Sequence, residues 1–145
     1  MSVPEHRPLC LLVEDQALIG MSIEAYLEDA GCHVSDPLGS GDAALAWLST
    51  HAPSLAILDY GLKDGSCTRL AAELNRRGVP FIVYSGHARP GDLPESLRRA
   101  PWVEKPADRA TLLRVLASVS PHLAALMSPP EGAGPPETTV SPWAR

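Results

Sequence analysis

The chain alternates between short unbroken runs of apolar residues and longer segments in which apolar residues recur at helical spacing. Runs of four or five apolar residues are typical of strands buried on both faces of a parallel sheet. Each of three such runs is followed at once by polar side chains, so these strands are predicted to carry chemistry to one edge of the sheet. The runs are Leu9–Val13, Leu55–Leu58 and Phe81–Tyr84.

Four longer segments carry a helical pattern. The first follows Asp15, where one apolar stripe at the period of an α-helix extends to Gly31, a residue type that commonly ends helices. Further helices are predicted from Ser40 to about His51, from Ser66 to Arg77 and from Asp108 to near Pro121. The stripe of the first helix consists of Leu18, Ile19, Ile23, Tyr26, Leu27 and Ala30.

Two weaker strands and one irregular segment complete the pattern. His33–Ser35 is predicted to be a short strand at or near an edge of the sheet, because Pro37 closes it. Pro101–Glu104 is predicted to be a short fifth strand. The segment after the third apolar run is rich in proline and glycine, so only a short helix from Pro94 to Arg99 is expected there.

Strands that alternate with helices predict an α/β fold, a doubly wound five-stranded parallel sheet with helices on both faces. Right-handed crossovers bring the carboxyl ends of strands one, three, four and five together. We divide the chain into a leader at residues 1–8, one domain at 9–127 and a Pro/Gly-rich tail at 128–145. The tail is predicted to be disordered, since its composition can bury little apolar surface.

Composition and charge exclude several classes of function. The 145 residues are 45% hydrophobic and 20% charged, as in ordinary globular domains. A net charge of −5 offers no basic surface for nucleic acid. No segment approaches the ~20 apolar residues of a membrane span, and the N-terminus lacks the apolar core of a signal peptide, so the cytoplasm is the predicted compartment. The three cysteines form no CxxC pair and are predicted to be buried thiols.

Acidic, hydroxyl and cationic side chains follow four of the predicted strands. Glu14 and Asp15 follow the first strand, Asp59 the third, Ser85 the fourth and Lys105 the fifth. Clustered carboxylates need a cation or a function to be tolerated. The sequence therefore predicts one functional site at the carboxyl edge of the sheet.

Five short motifs occur in an order that is typical of one family of signalling domains. The motifs are Val13-Glu14-Asp15, Leu58-Asp59, Asp64-Gly65, Tyr84-Ser85-Gly86 and Glu104-Lys105-Pro106. On these motifs the chain resembles the CheY-like receiver domain of bacterial two-component response regulators, from about Leu9 to Leu126. The run Pro80–Gly86 is similar to that of receivers with a shortened fourth helix. The resemblance implies a flavodoxin-like sheet with strand order 2-1-3-4-5.

The resemblance implies a phosphoacceptor. Asp59 would take a phosphoryl group from a phosphohistidine, a transfer that depends on positioning and charge neutralisation more than on covalent help. Lys105 would pair with Asp59 before the transfer and with a phosphoryl oxygen afterwards. Ser85 would hydrogen-bond another phosphoryl oxygen.

The resemblance also implies one Mg²⁺ as cofactor. Asp15, Asp59 and the backbone carbonyl of Gly61 would be its direct ligands, while Glu14 would act more through water. Mg²⁺ favours few carboxylates, retained waters and phosphoryl oxygens, which such a site provides.

A switch and partners follow from the same resemblance. Phosphorylation adds about −1.5 to −2 charge, draws Ser85 inward and vacates space that an aromatic residue fills, here Trp102. Family members often have a cis bond at the position of Lys105-Pro106. A histidine kinase or histidine phosphotransfer protein would be the phosphodonor, and the downstream protein is unknown. The oligomeric state stays open, with a phosphorylation-dependent dimer as one alternative.

Three functions compete at this stage. The first is a stand-alone phosphoacceptor switch that is not an enzyme beyond self-phosphorylation and self-dephosphorylation. The second is a receiver that has lost its chemistry and acts as a binding module. The third is an aspartyl-phosphate phosphatase, although such enzymes often carry a second Asp where this chain has Gly61. Single residues also have structural alternatives. These are a helix or loop cap for Asp59, a cap of the first helix for Glu14-Asp15, a solvated surface residue for Lys105, a plain turn residue for Ser85 and a packing residue for Trp102.

Overall fold

Five parallel strands form one sheet in the order β2-β1-β3-β4-β5 in the computed structural model, which describes residues 7–62, 64 and 67–127. Residues 1–6 of the predicted leader, Gly65 of the third motif and the predicted tail lie outside the described residues. The strands are β1 (Leu9–Val13), β2 (His33–Val34), β3 (Leu55–Leu58), β4 (Phe81–Ser85) and β5 (Trp102–Glu104). The predicted fold class and strand order are confirmed.

Helices cover both faces of this sheet. The side chains of α1, α5 and α6 pack into one core, and those of α2, α3 and α4 pack into the other. The helices are α1 (Ala17–Asp29), α2 (Gly41–Leu48), α3 (Cys67–Arg77), α4 (Glu95–Arg98), α5 (Arg109–Val119) and α6 (Pro121–Met127). The domain therefore has three layers, as a doubly wound sheet requires.

The apolar runs are unbroken because their side chains serve both cores. Along β1, Leu11 and Val13 point into one core, while Cys10 and Leu12 point into the other. Successive side chains of a strand point to opposite faces, so a strand covered on both faces needs apolar residues throughout. All four residues of β3 are buried for the same reason.

Glycines end two of the helices. Gly31 follows α1 with φ of 103°, and Gly78 follows α3 with φ of 73°. Residues with a Cβ rarely adopt this left-handed conformation, so glycine is favoured at both positions. These turns send the chain back to the amino edge of the sheet and leave the carboxyl edge to the strand ends.

Two predictions need correction or refinement. Leu18 was expected on the buried stripe of α1 but is 79% exposed, because the inward face follows Ile19, Ile23 and Leu27. The helix predicted from Asp108 to near Pro121 is α5, and Pro121 starts a further helix, α6, that the pattern does not predict. The expected short fourth helix is confirmed, with only four residues.

Candidate functional site

The backbone places the predicted residues at one edge of the sheet. The Asp59 amide donates to the Val13 carbonyl at 3.0 Å, and the Lys105 amide donates to the Ser85 carbonyl at 2.7 Å. Both residues lie just beyond the ends of their strands, so the hydrogen bonds between neighbouring strands still fix their main chains. The two side chains therefore start from fixed positions.

Asp59 lies in a cleft of about 480 Å³, with 6% of its surface exposed. The Gly61 amide donates to Asp59 Oδ1 at 3.0 Å, and the Lys105 Nζ lies 3.4 Å from Asp59 Oδ2. Each carboxylate oxygen thus has a different partner. The cleft is lined by Asp15, Gln16, Asp59, Gly61, Ser85, Gly86, His87 and Lys105.

Three carboxylates converge in this region. Glu14, Asp15 and Asp59 each offer an oxygen, and these oxygens lie within 4.8 Å of one another. The potential ligand atoms of this cluster are all oxygens, and Asp15 is half-buried. Such a set of ligands suits a hard cation such as Mg²⁺. A Cβ at Gly61 would lie 3.8 Å from Asp59 Oδ1, so the missing side chain leaves this flank of the carboxylate uncovered. The arrangement fits the predicted metal.

Glu14 is buried and paired with the lysine. Its Oε1 lies 2.8 Å from Lys105 Nζ, and its Oε2 accepts the Gln16 backbone N–H at 3.1 Å. Burial raises the pKa of the Glu14 carboxyl, an effect that the hydrogen bonds from Lys105 and Gln16 partly offset. The lysine ammonium therefore lies between two acids and is nearer to Glu14.

Ser85 is linked to Trp102 through one residue of the loop after β4. The Ser85 Oγ accepts the His87 backbone N–H at 3.1 Å, and the His87 carbonyl accepts the Trp102 Nε1–H at 2.9 Å. The Trp102 ring also contacts the Tyr60 ring, with centroids 5.1 Å apart. Trp102 is half-buried in this position. The indole thus bridges β5 to the loops that follow β3 and β4.

Tyr84 contacts both the side chain of Lys105 and the segment that follows β5. The Lys105 Nζ lies 5.6 Å from the centre of the Tyr84 ring, and the Tyr84 hydroxyl accepts the Ala107 backbone N–H at 3.0 Å. The Lys105-Pro106 bond is cis, as the resemblance implied. The lysine ammonium therefore lies over the face of a buried aromatic ring.

The loop after β3 is anchored to α2. Asp64 accepts the backbone N–H groups of Gly41 and Asp42 at 3.3 and 3.1 Å, where a helix begins with unpaired amides. Arg69 of α3 pairs with the Asp42 carboxylate at 2.7 Å. The third motif therefore contributes to the position of the Gly61 segment rather than to the cleft wall.

One nearby thiol does not compete with Asp59 as a nucleophile. Burial and the Asp59 charge raise the pKa of Cys67 to about 12, so this thiol stays protonated at neutral pH. Cys10 and Cys32 are also buried, as predicted.

The structure brings together the predicted residues and adds some that the sequence did not indicate. Asp15, Asp59, Gly61, Ser85 and Lys105 all line the cleft. Glu14 reaches the same lysine, and Trp102 is connected through His87. Gln16, Tyr60 and Tyr84 were not predicted, although each stands directly beside a predicted site residue in the sequence.

Residues 10–117 match the model of the response regulator receiver domain. The chain belongs to this family. The receiver is also 30% identical over 91 residues to the transcriptional regulatory protein PdtaR of Mycobacterium tuberculosis. This alignment covers 62% of the chain and 44% of PdtaR, so the chain spans less than half the length of the curated relatives it matches.

Solved receiver domains have the same fold. A CheY-like receiver domain from Methylobacillus flagellatus is 27% identical, with a TM-score of 0.66 over 78% of this chain and 98% of that one. The receiver domain of a putative Luxo repressor protein from Vibrio parahaemolyticus is 26% identical, with a TM-score of 0.69 over 83% and 93%. CheY4 of Vibrio cholerae, at 20% identity, a TM-score of 0.68 and coverage of 78% and 98%, supports the fold alone.

Membership in this family places the chain among the signalling domains of two-component systems. Among the described residues, no helix is both long and apolar enough to cross a bilayer.

Proposed function

We propose that Asp59 accepts a phosphoryl group from a phosphohistidine of a histidine kinase or histidine phosphotransfer protein, and that the phosphorylated receiver signals through contacts with another protein. The grouping around Asp59 carries this proposal. The Lys105 ammonium lies 3.4 Å from its Oδ2, and oxygens of two further acids lie within 4.8 Å. Phosphoryl transfer needs this combination of a carboxylate nucleophile and nearby positive charge.

The reaction is a direct displacement at phosphorus. A carboxylate oxygen of Asp59 forms the new P–O bond while the P–N bond of the phosphohistidine breaks, and the electron pair of that bond remains on the imidazole. The product is an acyl phosphate with no change in oxidation state. The chain contributes orientation and neutralisation of the phosphoryl charge.

Lys105 and Ser85 are proposed to hold the transferred group. The lysine ammonium already faces Asp59, so it can pair with a phosphoryl oxygen after a small displacement. The Ser85 hydroxyl accepts a hydrogen bond from His87 and keeps its own proton to donate. Two donors of different kinds thus line the same cleft as the carboxylate.

Asp15, Asp59 and the Gly61 carbonyl are proposed to hold Mg²⁺. When bound, the ion would neutralise charge on the phosphoryl oxygens. Asp15 is half-buried at the cleft, and the Gly61 backbone N–H donates a hydrogen bond to Asp59 Oδ1. This bond fixes the main chain of Gly61 beside the carboxylate, and the carbonyl of the same residue is proposed to complete the ligand set.

An exposed apolar surface beside the cleft is proposed to receive the phosphodonor protein. Leu18 is 79% exposed and Met21 is 60% exposed, both on the half of α1 that begins just after Asp15 and Gln16. Exposed apolar side chains that lie close together on a surface can form an interaction site. Because this part of α1 follows directly on the cleft residues Asp15 and Gln16, a protein that delivers a phosphohistidine to Asp59 is proposed to contact it.

Phosphorylation with acetyl phosphate and Mg²⁺ tests the chemistry. Intact mass spectrometry should show one phosphoryl group on the wild type and none on Asp59→Asn. Asp92→Asn, which removes an exposed acid outside the cleft, is the matched control and should behave as the wild type. Absence of the adduct on the wild type, or its persistence on Asp59→Asn, rejects the proposal.

A protein phosphodonor tests the partner surface. Leu18→Lys with Met21→Lys should slow transfer from a phosphorylated histidine phosphotransfer protein by about tenfold or more, as interface anchors do. The same variant should accept phosphoryl from acetyl phosphate at the wild-type rate, since neither side chain lines the cleft. Equal slowing with both donors would show damage to the site instead.

A further inference from the structure

Glu14 holds the lysine ammonium more closely than the phosphoacceptor does. The Lys105 Nζ is 2.8 Å from Glu14 Oε1 and 3.4 Å from Asp59 Oδ2. The exposed fraction is 1% for the Glu14 side chain and 12% for that of Lys105. Water screens a pair this dry only weakly, so the nearer acid is the main partner of the lysine.

The rest of Glu14 is fixed as well. Its amide donates to the Leu38 carbonyl at 2.8 Å, and its Oε2 accepts the amide of Gln16. The start of α1 packs against the side chain, since a Cβ at Gly20 would lie 3.7 Å from Glu14 Cγ. The main chain and the side chain of Glu14 are thus both fixed, and its Oε1 faces the Lys105 ammonium.

The length of the side chain suits this contact. A Glu extends one C–C bond, about 1.5 Å, beyond an Asp. An Asp at this position would leave the ammonium beyond hydrogen-bond distance of the carboxylate unless the backbone or the lysine side chain moved. Mg²⁺ commonly takes only one or two carboxylates together with waters and phosphoryl oxygens, and Asp15 and Asp59 already provide two.

We infer that Glu14 is a positioning residue for Lys105 rather than a ligand of Mg²⁺. It holds the ammonium beside Asp59 and presents it to the incoming phosphoryl group. This inference deepens the proposed function and rests on it, because the lysine matters only if Asp59 reacts.

Glu14→Asp tests the inference, because it keeps the carboxylate charge near the metal site and changes only the length of the side chain. With acetyl phosphate, the rate at saturating Mg²⁺ should fall about tenfold or more, as a misplaced charge causes. The Mg²⁺ concentration for half-maximal rate should stay within about threefold, since the ligand set is intact. In a Lys105→Met background, Glu14→Asp should cause no further loss of rate.

A second readout follows the lysine itself and needs no phosphoryl transfer. Acylation of the native protein with a limiting amine reagent, followed by peptide mass spectrometry, gives the reaction rate of Lys105 relative to Lys63, the other lysine of the chain. Both Glu14→Asp and Glu14→Gln should raise the Lys105 rate severalfold, since the ammonium loses its nearest partner. Circular dichroism checks that each variant is folded.

The outcomes separate two failures. A wild-type maximal rate and unchanged Lys105 acylation in Glu14→Asp would overturn the inference, and so would a raised Mg²⁺ requirement with full recovery at high Mg²⁺. If the wild type takes no phosphoryl group, the proposed function fails, while the acylation experiment still reports whether Glu14 holds the lysine.

Discussion

The two flanks of Asp59 are built from different interactions. On one flank, Glu14 and Lys105 form a buried ion pair, and the Lys105 ammonium also contacts Asp59. Asp15 lies beside this pair. On the other flank, neutral hydrogen bonds run from the Ser85 hydroxyl to Trp102 through the main chain of His87. The charged flank ends inside the cleft, whereas the neutral flank reaches a half-buried ring and an exposed loop.

This difference suggests a division of work. Charges that are buried and paired are suited to stabilise a phosphoryl group, because their attraction is strong where water is scarce. Hydrogen bonds that pass through a single loop residue are suited to transmit a movement, because the amide and the carbonyl of His87 are joined through one Cα atom. Changes on the charged flank should alter phosphorylation, and changes on the neutral flank should alter what phosphorylation does to the surface.

Lys105→Met should have the largest effect. The substitution removes the cation that faces Asp59 and leaves Glu14 unpaired, so the phosphorylation rate with acetyl phosphate should fall about hundredfold. Chemical denaturation should also show a loss of stability. Arg114→Met, which removes an exposed cation from α5, is the control and should change neither quantity appreciably.

Ser85→Ala should separate the flanks. The cation is intact, so phosphorylation should slow by only about tenfold, but the link to His87 loses its acceptor. With 5-fluorotryptophan, the ¹⁹F signal of Trp102 should shift on phosphorylation of the wild type and of Ser85→Thr, which keeps the hydroxyl. A full shift in Ser85→Ala would contradict the proposed route.

Trp102→Phe should have a smaller effect and on the neutral flank only. The ring is kept and the N–H donor to His87 is lost, a hydrogen bond of about 1 kcal/mol. Hydrogen exchange in the loop after β4 should accelerate, while the phosphorylation rate should stay within about threefold. Trp47→Phe is the matched control, because Trp47 stacks on His51 away from the cleft. Faster exchange in both variants would argue against a specific bond.

The smallest effect concerns pH and, of the two flanks, should involve only the charged one. Burial raises the pKa of Glu14 above its usual 4.5, so the folded state binds a proton that the unfolded state has released. The free energy of unfolding should therefore decrease as pH rises from 4.5 through the folded pKa. Glu14→Gln should make this decrease smaller, because the contribution of Glu14 is lost, whereas Ser85→Ala should differ from the wild type by a constant amount.

The sequence was sufficient to predict the fold and most of the residues that line the cleft, because strand ends in a parallel sheet meet at one edge. Apolar runs predicted β1, β3 and β4, and the residues after them predicted Asp15, Asp59 and Ser85 in one site. The exposure of Leu18 was not predicted, since an apolar residue at the margin of a helical stripe gives no sign of the direction it takes.

The pairing within the site could not be read from the sequence either. Which acid holds Lys105 depends on side-chain length and on the approach of β1 to β5 through two intervening strands. The bond from Trp102 to His87 depends on the path of a loop that has no periodic pattern. Such contacts are tertiary and follow from packing rather than from local sequence.

The most direct test locates the modified residue. The wild type is phosphorylated with acetyl phosphate and Mg²⁺, reduced with borohydride to trap the acyl phosphate, digested and sequenced by mass spectrometry. The account predicts a reduced residue at position 59 and at no other carboxylate. A reduced residue at another acid, or a chain in which no residue is reduced, would contradict it.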